Sequence, residues 1–361
     1  MRISSIETFT QPKISLVRVR TEDGLEGYGQ IAPYHANITA QILHQQIAPH
    51  ALDIDVFNID KLIQHCLEQN SKFPGSHTCR AVGGLDTALW DLHGKRLGKS
   101  VCELLGGKPK YIDVYGSSMR RDITPKDEAE RLVKLKNANG FKAFKIRVGS
   151  QCGHNKDASP GRTEEIVPTV RKALGEDTIL YVDANSCYSP NRAIEVGRML
   201  EDYNVGHFEE PCPYWELDWT AQVTRALDIP VAGGEQDVSL GIFKQMINDR
   251  VVDIVQPDIC YIGGISRAMR VAQMAAGAGM PVRPHAANLS MVTVFTAHML
   301  GAIDNAGPLE FSIEDAPWVE GIFEPELKVS NGMLQIPDGP GWGVTICKKW
   351  MEQSEYKIQT L

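Results

Sequence analysis

Along the second half of the chain, short apolar runs alternate with longer stretches of helical spacing. The runs predict strands near 112–117, 143–148, 179–183, 205–209, 230–234, 252–256, 281–285 and 308–311. Helices fit 125–139, 162–174, 191–203, 216–227, 239–249, 266–278 and 291–303. Such alternation argues for a parallel sheet, because each parallel connection needs a crossover. Eight strands with seven helices between them close most naturally as a barrel. The first 30 residues alternate as strands do, ISSIETFT and ISLVRVR, with a turn at Glu22-Asp23-Gly24 and a return through LEGYGQ. An Asp-Gly pair is a hairpin signal. Residues 38–70 and 79–98 predict helices. In the second, Val82, Leu85, Leu89 and Leu92 share one apolar face, and the run closes on Gly98, a helix C-cap candidate. A boundary fits near 106–113, and after Asp315 the chain returns to strand and loop. The expected organisation is an α+β domain over 1–110, a barrel over 111–315, and a segment over 316–361 that returns to the first domain.

Six polar residues end these apolar runs at nearly one interval: Asp183, Glu209, Glu235, Asp258, His285 and Glu310, with gaps of 26, 26, 23, 27 and 25 residues. That is about one strand–helix unit, and barrel active sites are built at the C-terminal ends of several strands at once. Asp183, Glu209 and Glu235 end three successive strands, so their side chains can meet. Three carboxylates without Cys or His suit a hard cation such as Mg²⁺. Glu210 competes locally with Glu209, and points the opposite way if the strand persists. Asp258 and His285 end consecutive later strands, and a carboxylate beside an imidazole fixes its tautomer and raises its basicity. A lone histidine is more often structural than catalytic, and that is the default for the other nine, including His207. In FKAFKIRVG, Lys145 and Arg147 lie two apart and both face the barrel interior. Charge pointing inward there needs a function or a partner.

Composition narrows the class. A chain of 361 residues is too long for one ordinary core and suits a barrel plus a smaller domain. A formal net charge of −8, with no Lys/Arg-rich run, argues against nucleic acid as a main partner. No apolar stretch approaches the roughly 18–20 residues needed to span a bilayer. The start, MRISSIETFT, lacks the features of a signal peptide. Eight scattered cysteines without a CxxC fit a cytoplasmic protein with reduced thiols.

The ordered motifs TEDGLEGYGQ, AVGGLDTALWDLHGKRLG, Lys145-Ile-Arg147, VDAN ending at Asn185, HFEEP, GGEQ, DIVQPD with IGG, PHAAN and LEFSIE resemble the enolase superfamily, within it the mandelate racemase-like subgroup. The resemblance covers nearly the whole chain. It implies an α/β fold: a modified TIM barrel, (β/α)₇β, under an α+β capping domain completed by the C-terminal tail. It also implies one Mg²⁺ on Asp183, Glu209 and Glu235, and an Asp258–His285 acid–base dyad. Glu310 is then a hydrogen-bond donor to the substrate carboxylate. The expected partners are a small-molecule carboxylate and further copies of the chain in a homo-oligomer, with no nucleic acid and no membrane.

One departure shapes the expected chemistry. The racemase pattern on strand two is Lys-x-Lys, whose second Lys is a base; here that position is Arg147. A guanidinium stays protonated and is a poor base. One competent base, His285, suits dehydration of a sugar acid (an aldonate or aldarate) better than racemisation. His285 would take the α-proton, Lys145 and Glu310 would help stabilise the enediolate, and loss of the β-hydroxyl would give a 2-keto-3-deoxy acid. The alternatives are a racemase or epimerase of a 2-hydroxy acid, and a catalytically inactive binding protein. Candidate substrate contacts are Tyr34 and His35, Lys72 and Phe73, and Asn185. The insertion SQCGHNKDASPGRTEE after strand two is long enough to reach the mouth.

Overall fold

Three antiparallel strands open the chain in the computed structural model, which describes residues 2–361: β1 (Ile3–Thr10), β2 (Ser15–Thr21) and β3 (Glu26–Ile31). Gly24 turns the β2–β3 hairpin at φ 84°, a conformation glycine takes without Cβ strain. The last strand of the chain, Glu355–Thr360, pairs with β1 and completes a four-stranded sheet. The helix Ser76–Leu97 lies across this sheet and ends on Gly98 in the left-handed conformation. Gly27 and Gly29 allow that approach, since a Cβ at either would strike the helix backbone at Ala88 or Gly84. Leu85, Leu89 and Leu92 bury their face with Ile6, Val17 and Val19.

The helical stretch expected over 38–70 is broken. It runs as Ala36–Ile42, a wide turn over Leu43–Ile47, a tight turn over Ala48–His50, and a separate helix Ile59–Gln69 capped by Asn58. Pro49 has no N–H to continue the ladder, and Asp53 sits at φ 61°.

The alternating region forms a barrel. Its parallel strands are β4 (Tyr111–Ser117), β5 (Ala143–Arg147), β6 (Ile179–Asp183), β7 (Val205–Glu209), β8 (Val231–Gly233), β9 (Ile254–Val255) and β10 (Leu309–Ser312). They pair in sequence order, and β10 returns to β4. The strand expected over 281–285 is reduced to single bridges from Val282 to Val255 and Ala306. Pro281 and Pro284 remove ladder donors on either side. The barrel is closed nonetheless.

Three buried contacts join cap to barrel. Gln30 donates to Ser290 Oγ at 2.8 Å and accepts from the Met291 amide at 2.9 Å. Trp342, in the tail, donates its indole N–H to Thr87 O at 3.0 Å and packs on Phe295. Asp86, on the cap helix, accepts from the hydroxyl and amide of Ser266, at the start of the barrel helix Ile265–Gly277.

Asp86 predicts a pH signature. Burial pushes its carboxyl up to about 7, against the opposing hydrogen bonds from Ser266. Its unfolded value is near ~3.9. A carboxyl with a raised folded pKa binds more protons folded than unfolded, so its contribution is lost as pH rises from about 4 through about 7. Asp86→Asn keeps an acceptor and cannot ionise. Urea midpoints at pH 5 and pH 8 should show a loss in the wild type that is smaller in the variant. Parallel losses would mean that Asp86 is already ionised at pH 5.

Candidate active site

Strand register sets the site. Arg147 is the direct neighbour of Asp183, and Asp183 of Glu209, so three charged residues stand at one level on the inner face of β5, β6 and β7. Glu235 follows just beyond the end of β8. Asp183, Glu209 and Glu235 are buried, and a ligand atom from each lies within 4.8 Å of the others. Lys145, one turn of the pleat below Arg147, is fully buried among carboxylates. It contacts Glu209, reaches Glu310 at 2.8 Å and Asp183 at 3.6 Å. Arg147 contacts Asp183, and donates to Ser118 O at 2.9 Å and Asn185 Oδ1 at 3.0 Å. The inward parity expected of Lys145 and Arg147 is what the strand presents.

Electrostatics follow from this packing. Burial disfavours the Lys145 ammonium, yet Glu209 and Glu310 outweigh it and hold its pKa well above the usual lysine range. Burial likewise opposes ionisation of Glu209, while Lys145 and His207 draw it well below the carboxylate range. Glu210 goes the other way: burial, Glu235 and Glu209 push it well above. The chain leaves the strand at Glu210, at φ 42°, and its Oε1 is buried without a partner. Four carboxylates (Asp183, Glu209, Glu235, Glu310) face two cations (Lys145, Arg147), a formal excess of two negative charges. Glu235 Oε2 is also buried without a hydrogen bond. An orphaned oxygen, an all-oxygen donor set and a charge deficit of two fit a hard dication.

His285 stands across the mouth. Its Nδ1 lies 2.8 Å from Asp258 Oδ2, so the carboxylate takes that N–H and leaves Nε2 directed toward Glu235 at 3.6 Å. The other oxygen of Asp258 accepts from the Tyr261 amide, capping the short helix Ile259–Ile262. Burial resists charging His285, but Glu235, Asp258 and Glu310 outweigh it and raise its pKa to about 9. The largest of those pulls comes from Glu235. A cation held by Glu235 therefore competes with the imidazolium for the same charge.

Other expected residues fall differently. Glu310 accepts from Ser117 Oγ at 2.7 Å, from the Ala286 amide at 2.9 Å and from Lys145. Against burial, Lys145 and His285 lower its pKa. In all three contacts it serves as the acceptor. Asn185 is tied into the cluster: its amide N–H donates to Asp183 at 2.7 Å, and its Oδ1 accepts from Arg121 and Arg147. Tyr34, His35, Lys72 and Phe73 are exposed. Among the described residues, no hydrogen bond, ion pair or ring contact joins their side chains to the cluster. The cap instead reaches the mouth through Arg80, 3.5 Å over the Tyr261 ring, which in turn neighbours His285. Spacing gave no signal for Arg80, Ser117, Gln256 or Arg121. A cavity of about 620 Å³ opens at the opposite end of the barrel, beside Lys110, Lys142 and Arg283, away from this chemistry.

The comparisons agree with this architecture. Residues 2–106 match the mandelate racemase / muconate lactonizing enzyme N-terminal domain, and residues 127–350 match the enolase C-terminal domain-like family. The chain belongs to the enolase superfamily, in its mandelate racemase-like subgroup. It is 31% identical to arabinonate dehydratase of Saccharolobus solfataricus, over 96% of this chain and 91% of that one. It is 31% identical to L-talarate/galactarate dehydratase of Salmonella typhimurium, over 95% and 83%. A crystal structure of the latter, liganded with Mg and L-lyxarohydroxamate, aligns at TM-score 0.86 and 26% identity over 100% and 95%. A crystal structure of a protein from Roseobacter denitrificans, provisionally assigned as a racemase, aligns at TM-score 0.98 and 54% identity over all of both chains.

The buried ion cluster predicts a stability effect. Removing one member of such a cluster costs about 3–5 kcal/mol, because the partners stay buried and uncompensated. Lys145→Met should lose about that much unfolding free energy in urea with chelator present. Arg2→Met, which breaks an exposed pair with Asp53, should leave stability nearly unchanged. A Lys145→Met protein as stable as wild type would show that the carboxylates relax by taking up protons.

Proposed function

We propose that this protein is a Mg²⁺-dependent dehydratase of sugar acids, aldonates or aldarates, that forms a 2-keto-3-deoxy acid. The observation that carries the reading is the inequality of the two sides of the mouth. On one side His285 presents Nε2, with Nδ1 held by Asp258. On the other, Arg147 has its guanidinium committed to Asp183, Asn185 and Ser118. Lys145 is held as an ammonium by Glu209 and Glu310. His285 is therefore the competent base.

Asp183, Glu209 and Glu235 would hold the Mg²⁺. When bound, Mg²⁺ would supply positive charge for the carboxylate oxygens of the enediolate. His285 Nε2 takes the proton from C2, and the electron pair passes into the carboxylate. Lys145 and Arg147 balance the charge that develops there. The imidazolium then protonates the C3 hydroxyl, which leaves as water, and the enol tautomerises to the keto acid. Asp258 keeps the imidazole in one tautomer throughout. Asn185 acts by fixing Asp183 and Arg147. Tyr34, His35, Lys72 and Phe73 supply exposed cap side chains that would close over the far end of the sugar. The assigned relatives support the class: two are named as dehydratases of acid sugars. The 54% identical Roseobacter protein favours a second reading, racemisation or epimerisation.

Incubation with Mg²⁺ and a panel of aldonates and aldarates in D₂O tests the reading. Wild type should give a keto acid detectable with semicarbazide. α-Deuterated diastereomers without keto acid would establish the epimerase instead. His285→Asn should lose about 10²–10⁴-fold or more in turnover, since it removes a general base that also serves as acid. Retained activity would exclude His285 from that role.

Arg147→Lys yields a further expectation. The planar fork that holds Asp183 and Asn185 is lost, and an amine partly desolvated there can shed its proton. Keto-acid formation should fall, and slow inverting exchange at C2 should emerge by NMR in D₂O. A variant that dehydrates at the wild-type rate would show that the guanidinium geometry is not used.

A further inference from the structure

The barrel interior below the mouth carries a polar column. His207 stands on β7 two residues before Glu209, so both face inward, one level apart. It is fully buried, beside Tyr181 in the strand register, and its ring stacks on Tyr181 at 4.2 Å. Arg283 approaches from beneath, its guanidinium over Tyr181, with its Nη1 2.7 Å from His207 Nδ1. Arg283 is half-buried and lines the cavity at the floor of the barrel. Above, His207 Nε2 lies 3.3 Å from Glu209 Oε2. Gln256 donates to the same oxygen at 2.8 Å, while Lys145 contacts the other.

The donor inventory fixes the proton. A guanidinium can only donate, so His207 Nδ1 must accept. The ring proton then sits on Nε2, and its hydrogen-bond partner there among the described residues, the Glu209 carboxylate, can only accept. We infer that Arg283 and His207 are positioning residues for Glu209, a relay that holds one carboxylate oxygen from the barrel floor so that the other stays turned toward Lys145 and the converging carboxylates. An imidazole between a guanidinium and a carboxylate passes orientation through its two nitrogens, which no aliphatic residue in that layer can do. This inference deepens the proposed metal site and rests on Glu209 being one of its ligands.

Two measurements test it. Histidine labelled with ¹⁵N reports the tautomer directly in wild-type protein without metal, the His207 signal being identified by its loss in His207→Gln. The relay requires the proton on Nε2, and Arg283→Met should release Nδ1 and admit the other tautomer. A proton on Nδ1 in wild type would overturn the inference whatever the metal does. The second measurement is Mg²⁺ affinity by calorimetry. Outer partners of metal ligands typically contribute about 10–100-fold in affinity. His207→Leu should lose about that much. His207→Gln, which keeps a donor near the position of Nε2, should stay within a few-fold, and Arg283→Met should fall between. Circular dichroism checks that each variant is folded. If Glu209→Gln loses Mg²⁺ while folded His207→Leu binds as wild type, the relay is wrong and the metal site stands. If Glu209→Gln binds as wild type, the metal site is wrong, and the tautomer measurement alone decides whether the column is built as described.

Discussion

Lys145 is an ammonium with no access to water, held by Glu209, Glu310 and Asp183. The rest of the mouth depends on that interaction. A lone buried charge of either sign is costly, and partners recover the cost only when the geometry is good and the remaining polar atoms are satisfied. Here Glu310 also takes Ser117 and the Ala286 amide, and Glu209 takes Gln256 and His207. The carboxylates nearest the cations are drawn down, whereas those left over, Glu210 and Glu235, are pushed up. The cluster is thus polarised. One part is settled by the protein's own cations, and the other holds carboxyls whose ionisation those cations leave uncompensated. That remainder is what a cation or an imidazolium can use.

The barrel alone does not enclose this chemistry. The cap is anchored around the mouth by contacts of different kinds: a buried amide at Gln30, a carboxyl at Asp86 that serves the start of a barrel helix, and an indole from the tail at Trp342. The last strand of the chain closes the cap sheet on β1. First and last segments therefore fold as one layer, and the tail passes between cap and barrel on the way. Arg80 shows the result, since a residue of the cap helix stacks on Tyr261, a neighbour of His285. Under the proposed function, selectivity for the far end of a substrate would fall to residues that the barrel repeat does not encode.

Legibility in the sequence followed the same division. The strand ends could be read because each apolar run stops at a charge, and the parity of Lys145 and Arg147 follows from a period of two. Those residues come together as the spacing implies. The break after Ile42 and the loss of a strand over 281–285 trace to Pro49, Pro281 and Pro284, which outweigh pattern locally. A lone histidine inside a strand carries no signal, so the sequence alone gives His207 no role beyond a structural one. Its relation to Arg283, 76 residues away, exists only once the barrel closes. Arg80 was hidden for a similar reason, because its partner lies in the other domain. The cap candidates Tyr34, His35, Lys72 and Phe73 are polar or aromatic residues in or beside loops, and loop sequence reveals neither direction nor distance.

The two faces of the mouth are unequal for a reason that lies one level deeper than residue type. Arg147 lies directly beside Asp183, and Asn185, two residues further along the same strand end, accepts from it as well. Its guanidinium is built into the wall that holds the carboxylates. His285 is built differently. Asp258 spends one oxygen on a helix cap and the other on Nδ1, so the imidazole is fixed at one nitrogen and available at the other. A group that supports the wall cannot also shuttle a proton without disturbing the charges it supports. A group held by one nitrogen can. That arrangement is what supports the proposed reading, in which a single base works on one face.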